Sequence, residues 1–162
     1  MSSQEPVAPQ GPPPGLTWGI KQSFMRYLGA LEDTQVELDG GASMLDVGAF
    51  NFPLAVDALD SPGSYAFRGT VQLTAHGGLL AVTLRDPQLD IQEDTATLSV
   101  DSGTGHPLVL CTLEGGAYEA LGEDLVWSAD KVCLTEAGVP TFGGQYQPGQ
   151  ALDPVLLRIP LS

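Results

Sequence analysis

Residues 65–84, YAFRGTVQLTAHGGLLAVTL, decide the fold class of this chain. Apolar side chains alternate with more polar ones through the first half of this stretch, at Tyr65, Phe67, Val71, Leu73 and Ala75. A two-residue period is typical of a β-strand with one buried face. Gly77 and Gly78 then favour a two-residue hairpin turn, after which residues 79–84 return as the partner strand. The stretch therefore predicts an antiparallel hairpin.

Similar short runs continue on both sides of this hairpin. We expect further strands at 88–92, 95–100, 108–113, 130–134 and 155–159, separated by turn residues such as Asp86-Pro87 and Gly115-Gly116. Twenty glycines and thirteen prolines agree with a turn-rich β protein. The sequence predicts a mainly β fold: an antiparallel β-sandwich-like domain with one short N-terminal helix.

The helix is predicted in LTWGIKQSFMRYL, residues 16–28, with Gly29 at its end. Its apolar face repeats at helical spacing through Ile20, Phe24, Tyr27 and Leu31. Thr17 is the expected N-cap, and Gly29 is a typical helix stop. Ser23 lies four residues before Tyr27, so the hydroxyl and the phenol are expected on one side of the helix. The phenol there could form a hydrogen bond or bind a metal.

The start of the chain, MSSQEPVAPQGPPPG, has almost nothing to bury. We predict a flexible Pro-rich leader over residues 1–15 and one domain over residues 16–162. The first residues lack the basic and apolar regions of a secretory signal. The expected location is therefore cytoplasmic, and the alternative is a secreted or cell-surface protein whose signal peptide has been removed.

Six basic and twenty acidic residues give a net charge of −14. This charge repels phosphate backbones and anionic lipids, so neither nucleic acid nor a membrane surface is an expected partner. The sequence also has no apolar run of the length that spans a bilayer, which argues against membrane insertion. The spacing of Cys111 and Cys133 matches no zinc or redox motif. Two buried thiols are favoured over a disulfide.

Standard catalytic signatures are missing, including the G-x-S-x-G elbow, the phosphate loop and H-E-x-x-H. The acidic segments 92–94 and 121–125 are interpreted as solvated turns instead of acid/base pairs. His106 is interpreted as a loop residue, and Trp18 and Trp127 as core or rim residues. Catalysis is therefore not the expected function.

Three motifs in order resemble one family. LTWGIKQSFMRYL at 16–28, FRGTVQLTAHGGLL at 67–80 and FGGQYQPGQALDPV at 142–155 are similar to the HtaA domain, the haem-binding module of actinobacterial haem-uptake proteins. The resemblance covers about residues 16–160. It implies a β-sandwich-like domain in which a tyrosine on the helix is the axial ligand of ferric haem b.

The resemblance also implies roles for four residues. Tyr27 matches the tyrosine ligand of the iron, and His76 matches the histidine that hydrogen-bonds the ligating phenol. Ser23 matches a helix serine close to the haem, and Phe142 matches an aromatic residue that packs against the porphyrin. Strict alternation along the strand would place His76 on the polar face, away from Leu73, unless the strand bulges or ends there.

Chemistry agrees with this interpretation. Free tyrosine ionises near pH 10, so a ferric ion must favour the phenolate, and a phenolate favours Fe(III) over Fe(II). His76 would orient that phenolate and share its proton. The apolar walls of a haem slot are expected from Phe24, Met25, Phe142 and Tyr146, and local donors to the propionates from Lys21, Arg26 and Ser23.

Three functions follow from these observations. The first is a non-enzymatic haem carrier in uptake or storage, whose partners are haem and another haem-transfer protein. The second is a haem-dependent enzyme with peroxidase-like or haem-degrading activity, and the third is a β-sandwich adhesion or interaction domain without haem. Haem binding separates the third from the other two, and turnover separates the second from the first.

Overall fold

The computed structural model describes residues 13–45, 49–55, 63–101, 103, 106–144 and 146–160. One α-helix, α1, spans Gln22–Gly29. Two short 3-10 turns lie at His76–Gly78 and Val139–Phe142. The strands in chain order are β1 Gly15–Trp18, β2 Gln35–Asp39, β3 Ser43–Met44, β4 Phe50–Phe52, β5 Ser64–Ala66, β6 Thr70–Ala75, β7 Leu80–Arg85, β8 Gln88–Gln92, β9 Thr95–Asp101, β10 Pro107–Glu114, β11 Ala117–Leu121, β12 Asp124–Ala129, β13 Lys131–Leu134, β14 Ala151–Leu152 and β15 Val155–Pro160.

The strands form three antiparallel sheets. Two have six strands each, in the orders β11-β12-β15-β1-β4-β3 and β14-β13-β10-β9-β8-β5, and the third has the order β2-β6-β7. The inward faces of all three sheets, together with α1, enclose one continuous apolar core. The prediction of a mainly β, antiparallel domain with one short helix is confirmed, and so are the five strands predicted from 88–159.

The helix is shorter than predicted because its first residues form a strand. Leu16 and Trp18 belong to β1, which lies between β15 and β4 in the interior of the first sheet. Thr17 is therefore a strand residue and not the N-cap. The chain turns at Ile20, whose φ of 64° ends the extended run before α1 begins. The alternation of Leu16, Trp18 and Ile20, all buried, was the strand signal.

The leader prediction falls mostly outside the described residues. The described part begins at Pro13, and the Asn51 side-chain amide donates hydrogen bonds to the carbonyl oxygens of Pro13 and Pro14, at 3.4 and 3.2 Å. These bonds attach the residues immediately before β1 to β4.

Residues 65–75 are two strands and not the single strand predicted. β5 pairs with β8 in a six-stranded sheet, whereas β6 pairs with β2 and β7 in the three-stranded sheet. The break falls at Gly69, which has a φ of 123°, and a Cβ there would lie 2.7 Å from the backbone nitrogen of Ala42. Glycine is therefore required where the chain passes from one sheet to the other.

Cys111 and Cys133 are both free thiols, as the sequence favoured, but the prediction that both are buried is wrong for Cys133, which is half-buried. Cys111 is opposite Leu134 on the neighbouring strand β13, and Cys133 is next to Leu134 in that strand. Because successive strand residues point to opposite faces of a sheet, the two sulfurs lie on opposite faces. Burial raises the pKa of the Cys111 thiol well above its ordinary value.

The acidic segment 121–125 is only partly a solvated turn. Gly122 and Glu123 connect β11 to β12. Asp124, however, begins β12, and its carboxylate accepts a hydrogen bond from the guanidinium Nε of the buried Arg158 at 2.7 Å. The prediction was wrong for Asp124 because its cationic partner lies 34 residues later in the chain.

No α-helix within the described ranges combines the length and the apolar character needed to cross a bilayer.

Candidate functional site

Helix α1 separates its buried side chains from its potential ligand groups. Phe24 and Leu28 are buried in the core, whereas Ser23 and Tyr27 are exposed. Residues four apart lie on the same side of a helix, so the two hydroxyl groups share one exposed strip beside the buried face. Tyr27 has 44% of its surface exposed, and its phenol is therefore accessible.

The Tyr27 phenol contacts a histidine that is distant in sequence. The distance from its oxygen to Nε2 of His76 is 2.6 Å, and the two ring centroids are 5.9 Å apart. This contact joins residues 49 positions apart and brings α1 against the loop that connects β6 to β7. The structure therefore brings together the phenol and the imidazole that the sequence motifs selected.

His76 reaches Tyr27 because strand β6 ends one residue earlier. The loop of residues 76–79 differs from the predicted two-residue turn: β7 begins at Leu80, and the predicted strand start, Leu79, is 90% exposed at the loop. His76 has a φ of 55°, so its side chain does not follow the alternation of Gln72 and Thr74. The sequence analysis allowed His76 to leave the polar face if the strand ended there. Strand β6 does end at Ala75.

Asp33 was not selected from the sequence, but it contacts the same loop. Its carboxylate accepts a hydrogen bond from the Gly77 amide at 2.8 Å. Hydrogen bonds from the backbone amides of Gly77 and His76 lower the pKa of the Asp33 carboxyl below its ordinary value, in that order of size. No local motif marks this residue, because its partner is 44 positions away.

Phe142 lies beneath the helix and not at the surface. It has no exposed area, and its ring meets those of Phe24 and Tyr146 edge-on, with centroids 6.0 and 6.2 Å away. Phe24 and Tyr146 also contact each other, at 5.9 Å. Burial raises the pKa of the half-buried Tyr146 phenol. Phe142 and Tyr146 thus pack against Phe24 on the buried face of α1. Contact between Phe142 and a ligand stays a prediction, and it would require this ring to become exposed.

The other residues selected from the sequence are less closely grouped. Met25 is half-buried on the side of α1 that faces β1, where it lines a cavity with Trp18 and Leu156. Lys21 directly precedes the helix, and Arg26 is exposed in its last turn. Leu79 was missed, although an apolar residue at the tip of a hairpin is a recognisable signal. Its amide donates to the carbonyl oxygen of His76 at 3.1 Å, a backbone contact within the loop.

These groups are suited to an iron ion held in an apolar macrocycle. An exposed phenol is a hard oxygen donor, and the adjacent imidazole can accept its proton. Leu79 is an exposed apolar residue of the same loop, and the Ser23 hydroxyl lies one helical turn from the phenol. The chemistry of the described residues thus fits a haem at an exposed site, which Tyr27, His76 and Ser23 would hold.

Comparisons with known proteins agree with this fold. The HtaA family model matches residues 14–158. The C-terminal domain of HtaA from Corynebacterium glutamicum is 27% identical, with a TM-score of 0.72 over 89% of this chain and 93% of that domain. The N-terminal domain of the same protein is 26% identical, with a TM-score of 0.72 over 91% and 96%.

The heme binding protein HtaB from C. glutamicum shares the fold, with a TM-score of 0.70 at 20% identity over 90% of this chain and 91% of its own. No curated protein sequence matches the chain significantly.

Proposed function

Because the chain belongs to the HtaA family, we propose that it binds ferric haem, with the Tyr27 oxygen as the axial ligand of the iron and His76 as its hydrogen-bond partner. The observation that carries this proposal is the 2.6 Å contact between the Tyr27 oxygen and Nε2 of His76 at an exposed surface. Phenol and imidazole are the two groups that the family resemblance selects at these positions.

His76 has two tasks in this arrangement. A phenol must lose its proton to become a strong ligand of ferric iron, and Nε2 is close enough to accept that proton. The same contact fixes the direction in which the phenol oxygen points, because the imidazole is held on the loop of residues 76–79. Groups that orient a metal ligand in this way usually contribute about 10- to 100-fold to affinity.

The surroundings of this pair support haem over a bare metal ion. A haem iron, held by its macrocycle, would need only one ligand from the protein, which Tyr27 would supply. Leu79, three residues after His76 and 90% exposed, would offer apolar surface to the macrocycle, and the Ser23 hydroxyl would be able to donate to a propionate. Lys21 and Arg26 are further donors on α1, although nothing in their contacts commits either of them to that task.

We infer that the protein carries or stores haem and does not turn it over. Tyr27 and His76 are exposed, so haem can enter and leave without the domain opening. Tyr27 is assigned to the iron and His76 to the Tyr27 phenol, so neither residue is left to act as a general acid or base in turnover.

A titration of the apoprotein with ferric haem tests the proposal. We expect one equivalent to bind with a tyrosinate-type absorption spectrum. Tyr27→Phe should lose that spectrum and weaken binding by more than about 100-fold, whereas His76→Ala should weaken it by about 10- to 100-fold. Replacing Tyr27, the proposed ligand, should weaken binding more than replacing His76, which orients it.

Tyr118→Phe is the matched control, because Tyr118 has nearly the same exposure, 45%, but lies on β11. It should bind haem as the wild type does. Equal haem spectra and affinities for Tyr27→Phe and Tyr118→Phe would contradict the ligand assignment.

A further inference from the structure

The loop that presents His76 has little to hold it in place. His76, Gly77 and Gly78 have φ values of 55°, 65° and 94°, a run of left-handed conformations that non-glycine residues rarely adopt. At both glycines, the position of a Cβ has no atom within 4 Å, so side-chain packing does not fix the loop at these two residues. Its conformation must therefore be stabilised by specific hydrogen bonds.

Asp33 provides the link that the loop needs. The carboxylate oxygen Oδ2 of Asp33 accepts a hydrogen bond from the Gly77 amide at 2.8 Å. The backbone amides of Gly77 and His76 both lower the pKa of this carboxyl, so they favour its charged form. Successive backbone amides in a turn can form a concave site that prefers an anion. Asp33 places a fixed negative charge at that site.

The chain directly after Asp33 is anchored at two points. The hydroxyl of Thr34 donates to the carbonyl oxygen of Leu28 at 2.6 Å, which closes the connection after α1. The next residue, Gln35, begins β2 and pairs with Thr74 on β6. The two residues after Asp33 are thus anchored, one to the helix that carries Tyr27 and the other to the strand that leads to His76.

We propose that Asp33 is a positioning residue: its carboxylate holds the loop of residues 76–79 so that the His76 imidazole meets the Tyr27 phenol. This inference rests on the proposed function, because the pair that Asp33 positions is the proposed haem site. The loop is joined to the helical side of the domain by two parallel contacts, Tyr27 to His76 and Asp33 to Gly77. Loss of the second leaves His76 on a loop whose strained backbone can relax.

The first test uses the protein without haem. In the wild type, the amide proton of Gly77 should show the shift and slow exchange of a hydrogen bond to a carboxylate, and the ¹⁵N shifts of the His76 ring should report one dominant tautomer. In Asp33→Ala, the Gly77 amide should exchange fast, and the ring shifts should move toward the average of both tautomers. Asp33→Asn keeps an oxygen acceptor without the charge, so it should restore much of the wild-type pattern.

The second test measures haem release from the loaded protein to an excess of apomyoglobin. Asp33→Ala should release haem about 10-fold faster than the wild type, at the low end of the range for groups that orient metal ligands. Asp33→Asn should release it at an intermediate rate. Glu32→Ala removes the adjacent exposed acid and should leave both measurements unchanged.

The outcomes separate the two proposals. If Tyr27→Phe binds haem as the wild type does, the proposed function fails, and the His76 ring shifts of the apoprotein still decide whether Asp33 orders the loop. If Tyr27→Phe loses haem while Asp33→Ala matches Glu32→Ala in ring shifts and in release rate, the positioning role of Asp33 is overturned.

Discussion

Tyr27 and Tyr118 show how the partner of a phenol determines what it can do. Both side chains are nearly half exposed. The Tyr118 oxygen lies 3.5 Å from the phenol oxygen of Tyr65. Burial is the larger cause and this contact the smaller one of the rise in the pKa of Tyr118 to about 12. Tyr27 instead faces an imidazole, which can accept a proton. Of these two phenols, Tyr27 is the one placed to become a metal ligand.

At position 116 the Trp127 side chain leaves no room for a residue larger than glycine. A Cβ added there would overlap the indole ring of Trp127, which is 2% exposed in the core. We expect Gly116→Ala to lower the free energy of unfolding by about 1–3 kcal/mol, because the ring must move within a packed core. Urea denaturation followed by tryptophan fluorescence measures this change.

The matched control for this substitution is Gly29→Ala. A Cβ at Gly29 meets no atom within 4 Å, and the residue is in α1, where alanine is favoured over glycine by about 0.5–1 kcal/mol. Gly29→Ala should therefore stabilise the domain or leave it unchanged. A loss of stability for Gly29→Ala as large as that for Gly116→Ala would contradict the overlap argument.

Helix α1 and strand β1 show why an element boundary was misplaced. Residues 16–28 contain a strand period through Leu16 and Trp18 and a helical period through Phe24 and Leu28. The apolar residue Ile20 belongs to both patterns, so the sequence alone could not place the change. The structure places it at the positive φ of Ile20, whose carbonyl oxygen accepts the Asp153 amide at 2.8 Å.

A poorly exposed ion pair joins strands β12 and β15, and its loss should lower the free energy of unfolding. Arg158 and Asp124 have side chains that are only 10% and 20% exposed. Removing one member leaves the other charge in a poorly solvated position. We expect Asp124→Ala to lower the free energy of unfolding by about 3 kcal/mol in urea denaturation.

The exposed pair of Lys131 and Glu114, with 67% and 57% exposed side chains, provides the control. Glu114→Ala should change the stability by less than about 1 kcal/mol, because solvent screens such pairs. If the two alanine variants lose equal stability, the burial of Arg158 is not what makes its ion pair important.

The net charge of −14 repels any anionic ligand and so lowers its association rate. Haem carries two propionates, so the field of the whole protein opposes their encounter. Salt shortens the reach of this field from about 30 Å at 0.01 M to about 3 Å at 1 M. We expect the association rate of haem, measured by stopped-flow absorption, to rise a few-fold between low and high salt.

The dissociation rate is the internal control for this measurement, because short contacts at the site depend little on screening. It should change much less than the association rate. An association rate that falls with salt would show instead that nearby cations, such as Lys21 and Arg26, dominate the approach.

The sequence by itself determined the antiparallel β class, the five strands predicted from 88–159 and the presence of one helix, and it selected Tyr27 and His76, because these depend on local periodicity and on short motifs. The tertiary structure decided the rest. It placed β1 inside a sheet, ended β6 before His76, buried Phe142 and brought Asp33 to the loop. Each of these depends on partners far along the chain, and a local pattern carries no information about which distant groups will meet.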